Sequence, residues 1–219
     1  MAIQISTLIQ RAQMILQDVT GVRWDETELL WWFNDARREL AVAKPAEFAQ
    51  RVTIPLVAGT YQAVPAEAFA LLRVNCNLKS ISPRLPGRAV TVVERRVLEA
   101  VHPRWEDSEV FKYTREATHF LYEEDEASSF YVFPGNDGTG TVEATICVLP
   151  AEATGSAQSL GVRDLYASAM LDYMLYRALT KDDDAAANAE KAKGHYAAFA
   201  TAVGIRGQVE AQTDTMRSN

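Results

Sequence analysis

The chain has 219 residues, is 48% hydrophobic and 23% charged, and carries a formal net charge of -7. This length suffices for one sizeable core or for two small lobes that share one, and the composition is that of an average soluble globular protein. The acidic balance argues against a dedicated DNA- or RNA-binding protein, which normally presents a basic face.

The first 45 residues are predicted to form two helices. Ser6 or Thr7 is expected to cap the first helix, and Gly21 to end it. Asp25 and Glu28 are spaced as a capping box and open the second helix, which Pro45 ends. The apolar residues at helical spacing are Ile5, Leu8, Ile9, Ala12, Ile15 and Leu16 in the first helix, and Leu29, Phe33, Ala36 and Leu40 in the second.

The period changes to two from Arg51, which predicts strands. Ser82 to Gly87 is predicted as a loop, Val93 to Val101 as a short helix or irregular link, and Asn136-Asp137-Gly138 as a hairpin turn. Glu123 to Ser128 is expected to be an exposed turn between two strands. The candidate strands are 51–56, 70–78, 90–93, 111–113, 118–122, 130–133 and 141–149.

Two further helices are predicted after a small-residue linker, 150–161. The first spans about Val162 to Thr180, with Asp184 expected to cap the second and Gly204 to end it. The predicted buried stripes are Leu165, Ala169, Tyr173 and Tyr176, with Met170 and Met174 beside them, and then Ala185, Ala189, Ala192, Tyr196, Phe199 and Val203.

These elements predict an α+β fold. The N-terminal helical hairpin (1–46) and the C-terminal helix pair (151–205) are expected to complete one helical bundle. Between them, residues 47–150 are expected to form an inserted antiparallel β-sandwich or open barrel. Residues 206–219 have little apolar surface to bury, and we expect a flexible arm in isolation.

No arrangement of residues in the sequence predicts catalysis, a metal site or a cofactor. His102, His119 and His195 are scattered, there is no G-x-S-x-G elbow, and the glycine-rich 135–140 lacks the ending of a phosphate loop. The acidic runs 123–126 and 182–184 lack the spacing of an EF-hand. We therefore expect no enzyme and no cofactor.

The cysteines and the N-terminus point to a cytoplasm-like setting. Cys76 and Cys147 have no zinc or CxxC spacing, and we expect free, buried thiols. Met1 to Gln10 lacks the pattern of a signal peptide, and no segment approaches the roughly 18 apolar residues of a membrane span.

Two features are candidates for protein contacts. Trp31 and Trp32 point about 100° apart on a helix, so one of them is free to meet a partner. Basic residues concentrate in 79–104 and acidic residues in 105–126. Either neighbouring strands of one chain pair these charges, or the basic face of one copy meets the acidic face of the next in a ring. The ring-interface candidates are Trp31, Arg84, Arg88, Arg95, Arg96, Glu123, Glu124, Asp125 and Glu126.

Several segments, in this order, resemble the head-to-tail adaptor (connector) proteins of tailed bacteriophages, especially the short-tailed kind. Each segment consists mostly of core and turn residues, so their order along the chain carries the resemblance. The segments are Ile5–Ala12, Val22–Trp24, Glu28–Leu30, Phe33–Ala36, Gly59–Gln62, Val64-Pro65, Phe130–Pro134, Leu171–Asp182, His195-Tyr196 and Phe199.

The resemblance implies a structural virion protein of the neck or tail, assembled in the host cytoplasm, with no enzymatic activity. It implies a ring of about twelve copies with a portal protein above, a tail nozzle or tail tube below, and DNA passing through without specific binding. It also implies a portal-binding arm, with Arg206, Gln208, Val209, Thr213 and Met216 as candidates. The alternatives are another phage neck or tail-completion protein, or a non-enzymatic protein-binding module.

Overall fold

A computed structural model describes residues 2–181 and 186–204. The described residues fall into two compact units. The helical unit takes its residues from 1–47 and 150–219, and the β unit is Phe48–Leu149. The predicted mixture of helices with antiparallel-rich sheets is confirmed.

The described residues contain five α-helices and eight strands. The helices are α1 (Ile5–Ile15), α2 (Glu26–Ala43), α3 (Arg95–Val101), α4 (Ala167–Lys181) and α5 (Ala186–Ala202). The strands are β1 (Ala49–Pro55), β2 (Gly59–Ala63), β3 (Ala68–Ser80), β4 (Leu85–Ala89), β5 (Thr91–Val92), β6 (His119–Leu121), β7 (Ser129–Asn136) and β8 (Thr141–Val148).

The predicted ends of α1 are wrong. Ser6 and Thr7 lie inside its first turn, and the residue at the N-cap, Gln4, makes no side-chain cap. The helix ends at Ile15, well before Gly21, because the carboxylate of Asp18 organises the next turn. It accepts hydrogen bonds from the backbone N–H groups of residues 22, 23 and 24 at 2.8–3.0 Å. These hydrogen bonds lower the pKa of Asp18, and the bond from the Trp24 N–H has the largest effect.

The start of α2 confirms the predicted cap in part. The Asp25 carboxylate accepts from the Glu28 N–H at 2.7 Å. The Glu28 side chain does not reach back; its carboxylate instead accepts from Lys181 Nζ at 2.7 Å. The predicted stripe Leu29, Phe33, Ala36 and Leu40 is buried, as expected.

The predicted linker, 150–161, is tied to the helical unit by hydrogen bonds. Asn34 and the backbone of Ala153 exchange two of them, and the Ile5 N–H donates to the Gln158 carbonyl at 3.0 Å.

Helix α4 begins later than predicted because a 3₁₀ turn, Asp164–Tyr166, precedes it and leaves Leu165 exposed. Gly204, with φ +76, follows α5 as predicted. The expected Asp184 cap lies outside the described residues.

The β unit has two four-stranded sheets with the orders β1-β8-β3-β4 and β2-β7-β6-β5. The predicted hairpin at Asn136-Asp137-Gly138 is wrong, because β7 and β8 belong to different sheets and this turn carries the chain from one to the other. The predicted loop 82–87 overlaps β4, and 111–113 is not a strand. One pair, β5 with β6, is parallel.

Side chains from both sheets form one core cluster in the β unit. The inward positions of β8, which are Val142, Ala144 and Ile146, are fully buried against residues such as Phe130 and Val132 of β7. Strands pack in this way when alternate residues face a shared core.

Candidate functional site

Trp31 is an exposed aromatic residue on α2. It is 63% exposed, whereas the neighbouring Trp32 is 7% exposed, so the two tryptophans divide between surface and core. Arg38 and Val42 follow at i+7 and i+11 on the same helix and are exposed too. Trp is favoured at interface centres, and this strip of α2 is a candidate contact surface.

Arg95 is held within its own chain. Its Nε donates to both carboxylate oxygens of Glu123 at 3.0 and 3.1 Å, and its guanidinium lies 4.5 Å from the ring centroid of Tyr131. Glu99 and Glu106 approach it at 3.8 and 4.0 Å. This is the intra-chain alternative for the segregated charges, and the role of Arg95 in a ring stays a prediction.

Arg84 is also paired within the chain, with Glu143, a residue that the sequence did not single out. Its Nε and Nη2 donate to the two Glu143 oxygens at 2.6 and 3.0 Å, which is bidentate geometry. The bonds from Arg84 hold the pKa of Glu143 below its ordinary value of 4.5. In the sequence, the only sign of this ion pair is that Glu143 is a charged residue within a predicted strand of mostly apolar residues.

Lowering the pH is expected to weaken the β unit through this pair. Because the folded state depresses the pKa of Glu143, its stabilisation is complete above 4.5 and is lost as the pH falls below that value. Thermal unfolding between about pH 7 and pH 3 should show a steeper loss of Tm in the wild type than in Glu143→Gln. Identical profiles would contradict a contribution from Glu143.

Four further ring candidates of the β unit, Arg88, Arg96, Asp125 and Glu126, lie on the surface, and the side chain of Glu124 lies outside the described residues. The side chain of Arg96 is 86% exposed and its Nε donates to Glu94 at 2.9 Å. Arg88 is exposed. The predicted turn 123–128 contains a 3₁₀ turn, Glu124–Glu126, where Asp125 and Glu126 are exposed. The five arm candidates, Arg206, Gln208, Val209, Thr213 and Met216, lie outside the described residues.

Each of the three histidines has a partner within the chain. His195 Nδ1 lies 2.8 Å from Asp172 Oδ1, His119 Nδ1 lies 2.8 Å from Thr91 Oγ1, and the His102 ring stacks on Phe133. Within residues 2–181 and 186–204, no three His, Cys, Asp or Glu side chains group as metal ligands. In the same ranges no helix combines the length and apolarity needed to cross a membrane.

The model of a family described as SU10 adaptor protein matches residues 3–219, nearly the whole chain. No curated protein matches the chain.

Proposed function

The chain belongs to the SU10 adaptor protein family, and we propose that it is a structural protein of a phage virion that connects the portal to the tail. It assembles as a ring beneath the portal, with a tail nozzle or tail tube below, and leaves a channel for DNA. It carries out no catalysis and uses no cofactor. Assembly takes place in the host cytoplasm.

The observation that carries the proposal is the family match over residues 3–219. A match of that extent covers both the helical unit and the β unit, so neither is left without a counterpart in the family. The segments that resemble head-to-tail adaptors occur in both units as well, from Ile5 to Phe199.

The charge of the chain supports passage of DNA without binding. DNA is held mainly by basic side chains that neutralise phosphates, and a net charge of -7 opposes such contacts. Two of the arginines on the β unit already have carboxylate partners, Arg95 with Glu123 and Arg84 with Glu143. A channel lined by a protein of this kind lets DNA slide.

The proposed architecture assigns a role to each segment. Residues 1–46 and 151–205 form the helical bundle that packs against neighbours in the ring, with Trp31 as a contact residue. Residues 47–150 form a β-sandwich lobe, which also carries ring contacts. Residues 206–219 form an arm that binds the portal, so that the adaptor joins the assembly after the portal.

The test is the native mass of this chain mixed with the portal ring of its own phage. We expect a ring of about twelve chains on the portal, and its loss when Gln208 to Asn219 are removed. The matched control is an arm of equal length with Val209 and Met216 retained and the other residues shuffled. A monomeric chain that does not bind the portal would reject the proposal and favour a lower tail position or a binding module outside the virion.

A further inference from the structure

A groove of about 620 Å³ lies on the β unit beside β3. It is lined by the consecutive residues Leu72 to Cys76 of β3 and by Val92 of β5. Among the described residues β4 pairs with β3 only from Cys76 to Ser80, so the earlier half of β3 has no strand paired with it in the sheet at that edge. Leu72 and Val92 are exposed, which gives the groove an apolar part.

Three arginines, Arg51, Arg73 and Arg84, line this groove, together with one carboxylate, Glu143. Arg51 on β1 and Arg73 on β3 both lie opposite Thr145 of β8, so they stand on one face of the sheet. Glu143 is already bound by Arg84. In the described part of the chain no ion pair involves Arg51 or Arg73, and the groove keeps about two uncompensated positive charges.

A second exposed surface of the β unit is an acidic loop, Glu106–Val110. The preceding residue, Trp105, packs with Leu98 of α3 and Leu121 of β6 on the second sheet, away from the core that the two sheets share. Glu106, Glu109 and Val110 are exposed. None of the residues Glu106–Val110 lines the groove, so the groove and this loop are separate surfaces of the β unit.

Hydrogen bonds hold the acidic loop in one conformation. The Asp107 carboxylate accepts from the Glu109 N–H at 2.9 Å, its carbonyl accepts from the Phe111 N–H at 2.8 Å, and Tyr113 donates to the Glu106 carbonyl at 2.9 Å. A loop fixed before binding loses little conformational freedom when it docks. It presents an acidic side chain, Glu109, next to an apolar one, Val110.

We propose that the groove of one copy receives the acidic loop Glu106–Val110 of a second copy. Arg51 and Arg73 bind the carboxylate of Glu109, and Val110 packs on Leu72 and Val92. A contact between two different surfaces of the same unit is heterologous, and such contacts close into a ring when the rotation allows. The inference rests on the proposed ring function and names the surfaces that join neighbouring copies.

Charge exchange on the portal ring tests this contact. We expect Arg73→Glu and Glu109→Lys each to raise the concentration needed for ring assembly at least about tenfold. In about 1 M salt, where exposed charges are screened, the difference between each variant and the wild type should be lost. The variant with both substitutions should recover a large part of the assembly lost by either single variant, because the lysine at position 109 then faces the glutamate at position 73 while Arg51 stays in place. Arg73→Lys, which keeps the charge, is the matched control.

The outcomes separate this inference from the proposed function. Arg73 and Glu109 are exposed, so the unfolding temperatures of the variants should match that of the wild type. Loss of the ring then cannot be ascribed to misfolding. If the single variants assemble at the wild-type concentration, the contact is overturned and the adaptor function stands. If the wild type itself forms no ring on the portal, both are overturned.

Discussion

Replacing Asn136 by alanine is expected to destabilise the β unit by about 3–5 kcal/mol. Asn136 is fully buried at the end of β7. Its Nδ2 donates to the carbonyls of Thr114 and Arg115 at 3.1 and 2.8 Å, and its Oδ1 accepts from the Gly138 and Gly140 N–H groups at 2.9 and 3.1 Å. Alanine leaves these four backbone groups without that partner. Urea unfolding followed by tryptophan fluorescence measures the loss.

The neighbouring Asp137 provides the control for Asn136. Its carboxylate accepts from the N–H and hydroxyl of Thr139 at 2.9 and 2.6 Å, but it is exposed, so water replaces these bonds in Asp137→Ala. We expect a much smaller change in the free energy of unfolding for that variant. Equal losses for the two variants would show that the buried network at Asn136 is not what holds the crossing between the sheets.

Replacing Asn34 by alanine is expected to destabilise the helical unit by about 2–3 kcal/mol. Asn34 is buried on α2, donates to the Ala153 carbonyl at 3.0 Å and accepts from the Ala153 N–H at 2.9 Å. Without this side chain, two buried backbone groups of the segment that leads to α4 lose their partner. Thermal unfolding, with hydrogen exchange at Ala153, measures the effect.

Arg38 offers a comparison for Asn34 from the same helix. Its guanidinium bonds to Glu152, one residue before Ala153, but its side chain is about half exposed. Exposed ion pairs contribute little, so Arg38→Ala should cost less than about 1 kcal/mol. A loss for Arg38→Ala as large as that for Asn34→Ala would mean that charge, and not the buried amide pair, holds this segment.

Elements defined by short-range patterns were predictable from the sequence. The start of α2 follows from Asp25 alone, because a capping carboxylate needs only the next three residues. The helical period predicts that Trp31 and Trp32 divide between surface and core, and the structure shows that Trp31 is the exposed one. In both cases the residues that decide the outcome lie within one or two turns of the chain.

Elements decided by distant residues were not predictable. Asn136-Asp137-Gly138 has the composition of a hairpin turn, and that composition does not distinguish a return within one sheet from a crossing to another. Here Asn136 makes the difference by bonding to Thr114 and Arg115. The candidate site was not fully predictable for the same reason. The pairing of Arg84 with Glu143 depends on strand order, and the distribution of charges along the chain does not reveal strand order.

The register of β1 with β8 has a consequence for how such a chain can vary between phages. Ala49 lies opposite Cys147, so the chain enters and leaves the β unit on adjacent strands, side by side. Adjacent strands stand about 5 Å apart, a gap that a very short connection spans. The insertion can therefore be lengthened, trimmed or exchanged for another lobe in a single genetic event, while residues 1–47 and 150–204 keep their connection.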